Sequence, residues 1–84
     1  MQVNIITASK TNGIASFEAE CGKKAASIVV SGAYVSVCNK NAAHRAWGGM
    51  GRTFQTLQAA KEAYKSGEMK AMIESAALWL GEVA

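Results

Sequence analysis

Apolar and polar positions alternate through the first half of the chain and recur at helical spacing in its last third. Period-two runs followed by period-3.6 runs place strands before helices and predict an α+β protein. Val3, Ile5 and Thr7 are expected on one side of a first strand, and Thr11-Asn12-Gly13 supplies the Asn-Gly pair that tolerates the positive φ of a tight hairpin. In the next run Ala15, Phe17, Ala19 and Cys21 fall on one face while Ser16, Glu18 and Glu20 fall on the other, as in a half-buried strand. Beyond Gly22-Lys23-Lys24 the alternation continues through Ala26, Ile28 and Val30, and Ser31-Gly32 turns the chain into a fourth strand. There Val35 and Val37 are expected to point inward, leaving Tyr34, Ser36, Cys38 and Lys40 on the opposite face.

Between Asn39 and Phe54 two runs have extended character, His44 to Trp47 and Gly51 to Phe54, with Gly48-Gly49 and Gly51 marking a bulge or turn between them. Helical signals begin at Thr56, a good N-cap, with Leu57, Ala60 and Tyr64 on one stripe. Ser66-Gly67 interrupts this segment, and Ser66 can cap a second helix in which Met69, Met72, Ile73, Ala76 and Leu80 form the apolar stripe. Trp79 borders that stripe and Leu78 lies opposite it. The expected fold is a four- to five-stranded antiparallel meander followed by a C-terminal helical segment of one kinked or two short helices. It forms a single domain over residues 1–84, with about 2–55 as sheet and about 56–81 as helix.

A chain of 84 residues buries only about 60 to 65% of the surface its unfolded form exposes, so its stability is a few kcal/mol and self-association would relieve the shortage of core. A homodimer is expected on that ground. Half the residues are apolar and 18% are charged, the balance of a folded protein and not a disordered one. No cationic segment precedes the short Val3 to Ile6 apolar run, so nothing there resembles a signal peptide, and a reducing, cytoplasmic setting is expected. The apolar run Ala71 to Leu80 is interrupted by Glu74 and is far short of the roughly 20 residues a membrane span needs.

Charge changes the picture more than composition does. From Cys21 to Lys61 the chain carries Lys23, Lys24, Lys40, Arg45, Arg52 and Lys61 without one Asp or Glu, and the same window holds Tyr34, Trp47 and Phe54. Cations and flat rings are what an anionic polymer with stackable bases would meet. Within the window Lys40, His44, Arg45, Trp47 and Arg52 surround a glycine-rich turn whose amides can approach phosphates, and Tyr34 adds a ring on the exposed sheet face. The plain alternative is that Trp47 and Phe54 fill the core and the cations are solvated.

Catalytic and metal chemistry find little support. Cys38 and His44 could pair as nucleophile and base, with Asn39 or Asn41 orienting the imidazole, but one Cys and one His co-occur by chance very often. Cys21, Cys38 and His44 lack the paired spacing and fourth ligand of a zinc site. A cross-strand Cys21 to Cys38 disulfide is disfavoured in a reducing compartment. The chain contains no Asp, which weakens Mg²⁺-dependent phosphoryl chemistry. No catalytic residue, metal or cofactor is expected.

The segment Gly51-x-x-Phe54-x-Thr56-x-x-x-Ala60-x-x-Ala63-Tyr64 resembles the strand-to-helix junction of the plant ethylene-response and related phage-integrase DNA-binding domains. Those domains read DNA with a three-stranded sheet backed by a helix. The likeness covers 14 of the 84 residues and is a packing signature: an aromatic ending a strand, a capped helix and small residues docking on the sheet. Strands followed by a C-terminal helical segment are also similar in order to the positive-cofactor type transcriptional coactivators, dimers that bind single-stranded DNA on their sheets. No residue motif carries that second comparison. Gly49-Met50-Gly51-Arg52-Thr53-Phe54 lacks the leading cation and the aromatic run of an RNA-recognition octamer.

These observations lead to the expectation of a small, non-enzymatic nucleic-acid-binding protein, single-stranded DNA or RNA before duplex, using Tyr34, Lys40, His44, Arg45, Trp47 and Arg52. The alternative is an accessory protein, an inhibitor or adaptor of phage type, whose basic face binds an acidic protein partner.

Overall fold

In the computed structural model, which describes residues 2–32, 34–41 and 52–83, five strands precede two helices. The strands are β1 (Asn4–Thr11), β2 (Ile14–Cys21), β3 (Lys24–Val30), β4 (Val35–Asn41) and β5 (Arg52–Phe54), and the helices are α1 (Leu57–Ala63) and α2 (Gly67–Val83). The strands form one antiparallel sheet in chain order, β1 and β5 at its edges. The expected meander and C-terminal helical segment are therefore present, with five strands and two helices. Among the described residues no helix is long and apolar enough to cross a membrane.

The turns follow the local chemistry. Asn12 and Gly13 adopt φ of 55° and 78°, so both central residues of the first hairpin are left-handed, as Asn-Gly favours. In the second hairpin Gly22 has φ of 63°, a conformation that a side chain would strain. Ser31 closes the third connection, its amide donating to the Tyr34 carbonyl at 2.9 Å.

Pairing fixes which side chains share a face. Phe17 lies opposite Ile28, and Ile28 opposite Val37, so β2, β3 and β4 each contribute a large apolar side chain to one row. These three are at most 2% exposed. Onto them α2 lays Met69, Met72, Ile73 and Ala76, all at most 1% exposed, and α1 adds Ala60. Each large side chain so buried contributes about 2 kcal/mol. Helix α2 covers β2 and β3 while α1 covers β4 and β5. The Trp79 ring packs on Phe17 with centroids 5.9 Å apart, and Leu78 of α2 is 66% exposed.

One expectation fails at β1. Ile5 pairs with Ala19 but Thr7 pairs with Glu18, so a bulge at Ile6 inverts the alternation. Val3, Ile5 and Thr7 therefore do not share a side: Ile5 is on the helix side with Ala19, and Thr7 is opposite with Glu18. A single inserted residue leaves composition and periodicity nearly unchanged, which is why the hydrophobic pattern does not reveal it.

Both helix starts are capped. Thr56 Oγ1 accepts from the Ala59 amide at 3.0 Å. Ser66 Oγ accepts from the Met69 amide at 3.3 Å, and the Lys70 amide bonds the Ser66 carbonyl at 3.0 Å. Residues 64–66 are non-helical, so Ser66-Gly67 separates two helices and is no mere kink in one.

Two stability predictions follow from this packing. Phe17→Ala should lower the unfolding free energy by about 3 to 5 kcal/mol, comparable to the whole stability of a domain this size, as read from urea denaturation. Ser66→Ala should cost about 1 kcal/mol through loss of the cap, and an unchanged urea midpoint would contradict the capping role.

Candidate functional site

The sheet face turned away from the helices is lined with hydroxyls. Thr7, Ser9 and Thr11 of β1, Ser16 of β2, Ser27 of β3, Ser36 of β4 and Thr53 of β5 occupy it, together with Ile14, Val29, Cys38, Glu18 and Glu20, and the register sets Asn4, Ala25 and, as expected, Lys40 in the same row as Glu20. Both rings that the described strands carry, Phe17 and Phe54, are on the helix side, opposite or beside core residues. A flat surface with hydroxyls and carboxylates offers hydrogen bonds but no stacking platform within the strands.

Arg52 also lies on the helix side, because it pairs with Val37, a fully buried core residue. Its guanidinium sits 5.2 Å from the Phe54 ring centroid and 5.0 Å from that of Tyr64. The two rings are 6.2 Å apart and tilted by 57°, so Arg52, Phe54 and Tyr64 form a cation–π cluster where β5 meets the end of α1. Arg52 is exposed, and among the described residues no carboxylate is placed against it.

The remaining described cations are distributed differently. Lys24 Nζ donates to Ser66 Oγ at 2.8 Å, and Ser66 Oγ donates to Glu68 Oε1 at 3.1 Å, so Lys24 approaches a carboxylate at the start of α2. Lys61 forms an ion pair with Glu74 at 3.2 Å. Lys70 Nζ donates to the Lys61 carbonyl at 2.8 Å. The acid-free window of the sequence is thus not acid-free in space, because α2 returns its glutamates over the strands and helix that carry the cations.

Two groups have shifted acidities. The Glu68 carboxyl is held below the usual carboxylate range, first by its own backbone amide at the helix start, then by the Ser66 hydroxyl and with Lys24 adding attraction. Burial pushes the Tyr64 phenol above its ordinary 10.0, and the Arg52 guanidinium pulls in the opposite direction.

Of the residues singled out in the sequence, Tyr34 stands at the turn before β4, is 44% exposed, and its amide bonds Ser31 Oγ at 3.3 Å. Lys40 pairs with Ala25 in the ladder. Arg52 joins Phe54 and Tyr64, not Tyr34. His44, Arg45 and Trp47 lie outside the described residues, as does the expected strand through them. Neither Cys21 nor Cys38 is in a disulfide. Cys21 is in the core and Cys38 is opposite Ser27 on the other face, with β3 between their strands, so no disulfide links them. Among the described residues no group of three or more His, Cys, Asp or Glu side chains could hold a metal ion.

Sequence reasoning missed Tyr64 as a site residue. Its signal was present: Arg52 and Phe54 are two apart on a strand, and Tyr64 ends the stripe of the helix that follows it. Comparison of the chain with protein families, curated proteins and solved structures gave no match.

Because the folded state holds Tyr64 protonated beyond 10.0, the unfolded chain loses this proton first as pH rises. Stability from this group is complete below the ordinary phenol value and falls as pH climbs above it. Urea denaturation between about pH 9 and 11 should show Tyr64→Phe to be less alkali-sensitive than the unsubstituted chain. Parallel pH profiles would contradict the burial of the phenol.

Proposed function

We propose that this chain is a non-enzymatic protein that binds single-stranded nucleic acid through the β5 edge, with Arg52 at the centre of the contact. The observation that carries the proposal is the Arg52 guanidinium, exposed and held over Phe54 and Tyr64 at 5.2 and 5.0 Å. Contact with two rings tilted to each other restrains the guanidinium, which reduces the rotamer entropy lost when it meets a phosphate or stacks on a base. Lys65 is exposed one residue beyond Tyr64, and the segment leading into Arg52 supplies Arg45 and Trp47 in sequence.

The β5 edge is preferred to the open sheet face, the surface first expected. No ring of the described strands stands on that face, whereas the rings that can stack with Arg52 are at the edge. Single strands are preferred to duplex because neither helix presents a concentrated cationic face for a major groove: α1 is seven residues long, and α2 carries Glu68, Glu74 and Glu82.

Fluorescence anisotropy of labelled single-stranded and duplex oligonucleotides tests the reading. Binding to the single strand should weaken steeply with salt, and Arg52→Ala should reduce affinity on the order of tenfold. No binding at low salt, or equal binding by Arg52→Ala, would overturn it.

A further inference from the structure

The two edges of the sheet are unequal. β5 is three residues long, the short edge that proteins commonly use to discourage pairing, whereas β1 presents eight residues, none of them proline, with a regular run from Thr7 to Thr11 beyond its bulge at Ile6. β1 is also the strand that the helices cover least: of its eight residues only Ala8 is not exposed. At its N-terminal end Ile5, 49% exposed, lines a depression with Ser75, Leu78, Trp79 and Glu82 of α2. An extended unpaired edge beside apolar side chains is a template for strand addition.

We propose that β1 is the surface through which two copies of this chain associate, the β1 strands pairing antiparallel about a two-fold axis so that the two sheets become continuous. Charge identifies the occupant as a second copy. Lys10 lies on the helix side of β1, opposite Ala15, at the C-terminal end of the strand. Glu82 lies on the same side at the other end, next to Ile5. Neither Lys10 nor Glu82 is engaged by another described residue of its own chain. Antiparallel pairing about an axis near Ala8 brings Lys10 of each copy to the Ile5 end of the other, within reach of Glu82, and does so twice by symmetry.

That arrangement also matches the alternation beyond the bulge. Ala8 and Lys10 face the helix layer while Thr7, Ser9 and Thr11 face away, so pairing about Ala8 sets Thr7 of one copy beside Ser9 of the other on the hydroxyl face. Leu78 and Ile5 of both copies then flank the seam in the helix layer. A strip of eight residues is ~27 Å long. Arg52, at the opposite edge of the sheet, stays exposed in the dimer, so nucleic-acid binding and dimerisation are separable.

Sedimentation equilibrium up to high micromolar concentration, with far-UV circular dichroism as a folding control, tests this surface. The unsubstituted chain should be a reversible dimer. Lys10→Glu and Glu82→Lys should each weaken dimerisation about tenfold, and the doubly exchanged chain should recover it. Leu78→Ser, at an exposed position, should also weaken it. A monomer at every concentration would overturn the proposal, as would a dimer indifferent to these substitutions. Failure of the double exchange to restore what each single change removed would overturn the Lys10 to Glu82 pairing that identifies the second copy.

Discussion

The fold depends on one contact: the stripe of Met69, Met72, Ile73 and Ala76 on α2 pressed against Phe17, Ile28 and Val37 of the sheet. A five-stranded meander has two faces and no way of burying either alone. Two helices following the last strand can roof one face, and here they roof most of it, α1 above β4 and β5 and α2 above β2 and β3. Among the described residues no third helix roofs β1. The exposed Ile5, the exposed Leu78 and the long free edge are consequences of that shortage.

The same return of α2 over the sheet decides the electrostatics. Along the chain the cations from Lys23 to Lys61 are isolated from acids, but folding brings Glu68 to Lys24 through Ser66 and Glu74 to Lys61. Linear segregation of charge survives folding only where the partner segment stays away. Arg52 is such a place, because β5 is an edge strand and its neighbours in the helix layer are the Phe54 and Tyr64 rings. A charge held by π faces keeps its net positive field, whereas one held by a carboxylate does not.

Much of the architecture was legible in the sequence. Alternation through Phe17, Ile28 and Val37 gave the strands their inner face, Asn12-Gly13 gave the first turn, and Thr56 and Ser66 gave both helix starts. Local chemistry dictates these features, so local reading finds them. The bulge at Ile6 was hidden because it changes parity without changing composition. The cluster around Arg52 was half hidden: its face followed from alternation with Phe54, but its contact with Tyr64 depends on how α1 packs back on β5. Which edge would be left long and unroofed was likewise a tertiary outcome, set by where two helices can reach.

Native-state hydrogen exchange resolved by residue tests the central packing claim most directly. If α2 and the inner strands form one cooperative unit, amides from Met72 to Ala76 should exchange only through global unfolding, with the same free energy and denaturant dependence as those of Phe17 and Ile28. Exchange of α2 through a separate, lower-energy opening while β2 and β3 stay protected would contradict the account.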